Sequence, residues 1–214
     1  MESTWLSYIL MNNKLQTIHI EGLDLAGKST ICRYIQQAYS YQRRVNSLLL
    51  DNPMHREADR LRKLGEIDDA ALGRLYYESL LYDLDNYVPP DVPTIQDSTI
   101  LVRSIAFHSV FGDKGLAEDF RLLMPRHPRF ALSVMLTASD DVRKMRLKGR
   151  ISRHNDNPED YLIHTNPRGF HEMENIILEI IKHDFGGIVI DSSNLEQDGE
   201  KERVAQMILE AASE

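Results

Sequence analysis

The stretch Thr17-Ile18-His19-Ile20-Glu21-Gly22-Leu23-Asp24-Leu25-Ala26-Gly27-Lys28-Ser29-Thr30 decides the fold. Its first four residues form a short β-branched run, the signature of a buried strand. Gly22 to Ser29 matches G-x-x-x-x-G-K-[ST] at every defined position, and a helix is expected to follow from Lys28 to Ser40. The spacing has a chemical reason. Glycines let backbone N–H groups turn inward as an anion nest, and the helix N-terminus adds favourable dipole charge. Lys28 then reaches the terminal phosphates, and Ser29 offers a hydroxyl to Mg²⁺. Gly22, Asp24, Leu25, Ala26, Gly27, Lys28, Ser29 and Thr30 are therefore expected to cradle the phosphates of a nucleoside triphosphate.

Working outward, apolar runs and helical periodicities alternate. Strands are expected at Val45–Leu50, Thr94–Asp97, Arg129–Thr137 and Gly187–Asp191. Helices are expected at Met54–Leu64, Asp68–Tyr87, Ser104–Phe111, Gly115–Leu123, Asp140–Arg150, Gly169–His183 and Lys201–Ala212. Strands separated by helices imply an α/β fold: a five-stranded parallel sheet with helices on both faces. Pro89, Pro90 and Pro93 break the long helix before the third strand.

The chain has 214 residues, enough for one domain with a lid and a core that needs no staples. We divide it into an N-terminal extension, 1–14, and a domain over 15–214 whose lid spans about 140–157. Met11 is an alternative start to Met1. Cys32 is the single cysteine, which excludes an intrachain disulfide and fits a cytoplasmic, reducing location; on a helix it reads as a small buried residue. Residues 1–13 lack a basic leader and are too short to span a bilayer, so no membrane association is expected. The net charge of −8 argues against nucleic acid as a partner, which requires a basic footprint. His55, His108, His154, His164 and His171 show no metal-ligand spacing.

Within this acidic chain, Asp140 to Arg153 holds six basic residues against two acidic ones. Arg146, Arg150 and Arg153 recur at helical or near-helical spacing. Phosphoryl transfer develops charge on equatorial oxygens, and planar guanidinium forks suit its stabilisation. An Asn-Lys-x-Asp guanine motif and a Leu-Ser-Gly-Gly-Gln motif are both missing from the chain. The position of the phosphate loop near the N-terminus suits a small-molecule kinase.

Taken together, these features resemble the thymidylate kinase-like group of P-loop nucleoside and nucleotide kinases over roughly residues 15–210. The resemblance rests on Glu21 to Thr30, on Asp140 to Arg150 as the start of a lid, and on Ile190-Asp191-Ser192-Ser193-Asn194-Leu195-Glu196 as the last strand and adenine-side loop. It implies ATP and Mg²⁺ as cofactors, with Ser192 and Asn194 beside the adenine. It also implies a small-molecule phosphate acceptor and a homodimer, packed through the helices flanking the third strand, where Tyr76, Tyr77 and Leu81 are candidates. In this family an arginine comes from the phosphate loop or from the lid. Leu25 and Ala26 supply none, so the resemblance points to Arg150 first, then Arg146 and Arg153. Asp97, at the end of the third strand, is the candidate to hold Mg²⁺ with Ser29.

The acceptor side departs from the family pattern. The arginine of its Asp-Arg-Tyr motif falls on Ser98, with Arg103 as a candidate substitute. Its Arg-Glu-Pro reads Asp51-Asn52-Pro53, and its base-recognising helix keeps an aromatic at Tyr76 while Leu80 and Tyr82 replace polar groups. Asp51 reads equally as a general base or as a capping residue. Asp24 resembles the family residue that orients acceptor hydroxyls. The reading is an ATP-dependent phosphotransferase that moves the γ-phosphate to a nucleotide-like or nucleoside-like acceptor. The alternatives are a genuine dTMP kinase and a catalytically inactive ATP-binding regulatory protein.

Overall fold

The computed structural model describes residues 17–153 and 158–213. The expected extension at 1–14, the choice between Met1 and Met11, His154 and the tail of the lid all lie outside them. Five parallel strands form one sheet in the order β2-β3-β1-β4-β5, where β1 is Thr17–Glu21, β2 Gln42–Asn46, β3 Thr94–Thr99, β4 Leu132–Thr137 and β5 Ile188–Asp191. The helices are α1 (Lys28–Tyr39), α2 (Pro53–Leu64), α3 (Asp69–Asn86), α4 (Ile100–Val110), α5 (Lys114–Leu122), α6 (Asp140–Ile151), the single turn α7 (Leu162–Thr165), α8 (Pro167–Glu179) and α9 (Glu200–Ala211).

β1 is central because it can be buried on both faces. Ile18 pairs with Ile95 on one side and Leu132 on the other. Ile18 and Ile20 face α1 and α9, and join Ile31, Ile35, Val134, Leu136, Val204 and Ile208 in one apolar layer. The opposite layer is built from α4, α5 and α8, with Leu101, Ile105, Phe120, Phe170, Met173 and Ile177 at its centre. The expected sheet with helices on both faces is what the chain forms. Cys32 is fully buried in the first layer, and burial pushes its thiol well up, so it is a packed residue.

Four elements differ from expectation by three residues or more; β4 begins at Leu132 and not Arg129, and α8 ends at Glu179, where a π-helical turn over Ile180–Asp184 takes over, and not at His183. The second strand is Gln42–Asn46 and not Val45–Leu50. Asn46 takes a left-handed φ of 59°, and the ladder to β3 shifts register between Val45 and Asn46. Beyond it, the buried carboxylate of Asp83 on α3 accepts hydrogen bonds from Ser47 Oγ (2.6 Å), Leu48 N (2.9 Å) and Asn52 Nδ2 (2.8 Å). That network satisfies the backbone without a sheet. α4 begins at Ile100, four residues before the expected Ser104, because Thr99 caps it through Oγ1 to Val102 N (3.3 Å).

Candidate functional site

The carboxyl ends of β1 and β3 and the N-terminus of α1 meet at one edge of the sheet. Parallel sheets place ligands there. Three residues turn the chain between β1 and α1: Gly22 at φ 141°, Leu25 at 65° and Gly27 at 86°. Gly22 is obligatory on space as well, since a Cβ would stand 2.2 Å from Leu136 O. Leu25 holds its left-handed backbone with its side chain buried in the core. Gly27 is the N-cap of α1, and among the described residues no side chain caps that helix. The first N–H groups of α1 are thus left for an anion.

Charged residues brace this loop from several elements. Glu21 Oε1 accepts from Thr99 N (2.7 Å), tying β1 to the end of β3. Burial opposes its charge, but His19, Arg103 and Lys28 outweigh that and lower its pKa. Arg103 on α4 donates to Gly22 O and to Asp24 Oδ2, both at 3.1 Å. That pairing, with Lys28 nearby, overcomes burial and holds the Asp24 carboxyl well below the usual range. Arg143 on α6 is fully buried and donates to Ala138 O (2.9 Å) and Asp24 O (3.4 Å) while pairing with Glu174 on α8. Arg146 donates to Leu25 O (2.8 Å), Ser192 O (2.6 Å) and Glu196 (2.7 Å). Ser192 Oγ lies within bonding distance of Ala26 O and Thr137 O. Leu195 packs beneath Gly27.

A cavity of about 530 Å³ opens beside the loop, lined by Asp24, Lys28, Ser29, Asp97, Ser98 and Arg103 and also by His55, Asp59, Arg62, Tyr76 and Glu159. That size suits a small organic ligand. Tyr76 donates from its hydroxyl to Asp59 Oδ1 (2.9 Å), and its ring lies 6.0 Å from that of His55. Arg62 pairs with Glu159 (2.8 Å) and Asp59 (3.9 Å). Arg43 on β2 pairs with Asp97.

Lys28, Ser29, Asp24, Asp97, Tyr76 and Arg103 therefore surround one cavity. Other candidates stand elsewhere. Asp51 faces solvent in an ion pair with Arg56 and does not line the cavity; its neighbour Asn52 takes the inward position and caps α2. Arg150 pairs with Asp160, whose buried carboxylate needs a counter-charge. Arg153 Nε donates to Gly149 O (2.8 Å) on its own helix, and Arg146 is committed to the loop carbonyls. None of these three arginines lines the cavity. Asn194 is exposed and accepts from Gln197 Nε2 (3.1 Å), and Thr30, also exposed, donates its N–H to Gly27 O (3.0 Å). Tyr77 packs edge-on against Phe120 (5.3 Å), and Tyr76, Tyr77 and Leu81 are partly buried against the chain's own core. Sequence reasoning missed Arg43, Arg143, Glu21, Asp59 and Arg62. Glu21, directly before the loop, and Arg143, within the basic stretch Asp140–Arg153, carried local signals. Among the described residues no three His, Cys, Asp or Glu side chains form a group that could hold a metal ion, and no helix is long and apolar enough to cross a membrane.

No protein-family model and no curated protein sequence matches the chain. Solved structures do. The chain is similar to a deoxyadenosine kinase from M. mycoides with products dCMP and dCDP bound: TM-score 0.58, 19% identity, 90% of this chain and 97% of that one. It is similar to thymidylate kinase from Candida albicans with TM-score 0.57 and 18% identity over 93% of each chain. The same M. mycoides kinase with bound dATP aligns with TM-score 0.54 and 16% identity, over 91% of this chain and 99% of that one. With a phosphate loop at one edge of a five-stranded parallel sheet and these likenesses across nearly the whole length, the chain has the fold of the P-loop nucleoside and nucleotide kinases.

Proposed function

We propose that this protein is an ATP-dependent phosphotransferase that moves the γ-phosphate to a nucleoside-like or nucleotide-like small molecule. The observation that carries the reading is the uncapped N-terminus of α1, with Lys28 and Ser29 on it, opening into a cavity of about 530 Å³. The N–H groups of Lys28 and Ser29 at the start of α1, with those of the loop before it, would hold the β- and γ-phosphates, and Lys28 would neutralise charge on the transferred group. Ser29 and Asp97 both line the cavity and supply hard oxygen donors, which suit Mg²⁺, an ion that takes few protein ligands; Asp97 would have to share its carboxylate with Arg43. When bound, the ion would offset the charge of the phosphates. Ser192 and the Leu195 loop lie against the other side of the phosphate loop, consistent with an adenine-side position. Arg150 and Arg153 would have to leave their present partners to reach the phosphates. A homodimer and a cytoplasmic location complete the proposal and rest on the family resemblance.

The test is an ADP-release screen with Mg²⁺–ATP across nucleosides, nucleoside monophosphates including dTMP, and small alcohols. Acceptor-dependent ADP release is expected. ATP binding without release for every acceptor would replace this reading with an ATP-binding regulatory role.

A further inference from the structure

We infer that His19 on β1 is a positioning residue for ATP binding: Ser133 fixes its ring so that Nε2–H faces the Glu21 carboxylate, and Glu21 in turn holds the phosphate loop. This rests on the ATP-binding part of the reading above. His19 and Glu21 stand two residues apart on β1, so their side chains share one face of the sheet. Both are fully buried, and His19 Nε2 lies 3.5 Å from Glu21 Oε1. Nε2 makes no hydrogen bond to any other described residue. Nδ1 lies 3.2 Å from Ser133 Oγ, and Ser133 is the residue paired with His19 across to β4. A hydroxyl that donates to Nδ1 leaves the ring proton on Nε2, the nitrogen beside Glu21. Phe130 and Phe185 fix the plane of the ring, with centroids at 4.6 and 5.6 Å. His127 packs on the same two phenyl rings, but its Nδ1 is taken by Pro128 O (3.0 Å).

Both oxygens of Glu21 are spent on the loop and its support. Oε1 accepts from Thr99 N (2.7 Å), and Oε2 accepts from Gly22 N (3.2 Å). Thr99 is the N-cap of α4, and Arg103 stands one turn along that helix, donating to Gly22 O and Asp24 Oδ2. Gly22 is thus held at its N–H by Glu21 and at its carbonyl by Arg103, while Glu21 also fixes the start of the helix that carries Arg103. A fully buried carboxylate keeps these bonds only while it stays ionised and turned correctly, and for that it needs a partner inside the protein. Burial opposes its charge; His19 leads the groups that offset burial, ahead of Arg103 on α4 and Lys28 on α1. Without the imidazole, the carboxylate loses its nearest counter-group, and the anchor at Gly22 N and Thr99 N loosens with it.

The experiment is titration calorimetry of Mg²⁺–ATP in the absence of any acceptor. His19→Leu, which suits the two phenyl rings but donates nothing, should weaken binding about tenfold or more, as expected for a lost bond to a charged group. His19→Gln, whose amide donates to Glu21 and accepts from Ser133, should stay within about threefold of the wild-type chain. If His19 acts through Glu21, the double variant His19→Leu with Glu21→Gln should bind no more than about twofold more weakly than Glu21→Gln alone. An unchanged Kd in His19→Leu, equal losses in His19→Leu and His19→Gln, or losses that multiply in the double variant would overturn the inference and leave the phosphotransferase reading intact. A wild-type chain that binds no ATP would overturn both. A second measurement needs no variant to fold: the imidazole ¹H–¹⁵N spectrum of the wild-type chain should show a proton on His19 Nε2, and an Nε2 without one would overturn the inference.

Discussion

At Gly22 the backbone φ is 141°, and any Cβ would meet Leu136 O at 2.2 Å. That contact is with the backbone of β4, which cannot step aside. Gly65 also has a positive φ, 65°, but nothing among the described residues lies within 4 Å of its added Cβ. Gly22→Ala should therefore cost about 3 kcal/mol or more, and Gly65→Ala only about 1 kcal/mol for the backbone alone. At about 2–4 °C per kcal/mol for a chain of this size, the two separate clearly in a thermal melt. Gly22→Ala should also lose ATP binding, read by titration calorimetry. At this scale the turn between β1 and α1 was legible in the sequence, because local backbone geometry sets it. Asp51 was not. Whether a carboxylate at that position faces a cavity or solvent depends on Asn52 turning inward to Ser79 and Asp83, 27 and 31 residues away in sequence.

α6 shows the same limit for an element. Its basic character is plain in the sequence, but the use of each arginine is set by partners on other elements: Glu174 on α8, Glu196 after β5, and Asp160 beyond the lid. Arg143 and Arg146 both dock α6 onto the phosphate loop, through Asp24 O and Leu25 O, and the Arg143 guanidinium also lies 4.9 Å from the Phe170 ring. Breaking a buried pair costs about 3–5 kcal/mol because a charge is left behind; Glu174 is partly exposed, so Arg143→Met should fall near the lower end. Adding Glu174→Leu should recover much of that stability in urea titrations. It should not restore ATP affinity, because the contact to Asp24 O stays lost. Recovery of both would show that Arg143 has no part in positioning the loop. The helices themselves were legible, since caps and 3.6-residue periodicity are local. β2 was not, because its end is dictated by the Asp83 network on α3.

For the whole molecule, the alternation of strands and helices was enough to predict a parallel sheet. The strand order and the closed polar end of the sheet became visible only in three dimensions. Opposite the phosphate loop, His127 is buried between Phe130 and Phe185, with ring centroids at 5.5 and 5.6 Å. Burial above all depresses its pKa to about 3 from an ordinary 6.5. The unfolded chain thus binds a proton that the folded chain refuses. The stabilising effect is full above about pH 6.5 and is lost as pH falls toward 3, at about 1.4 kcal/mol per pH unit. From pH 7 to pH 5 the protein should lose about 2 kcal/mol through this residue. His127→Phe should lose correspondingly less over the same interval, measured as urea midpoints at each pH.

The central claim is that the Gly22–Ser29 loop binds ATP so that its γ-phosphate can be transferred to a small molecule in the adjoining cavity. The direct test is transfer of label from γ-labelled ATP to a nucleoside or nucleotide panel, run with the wild-type chain and with Lys28→Ala at matched folding. The account predicts a labelled acceptor product with the wild-type chain and a loss of about a hundredfold or more in Lys28→Ala. Undiminished transfer by Lys28→Ala, or no labelled product from the wild-type chain with any acceptor, would contradict it.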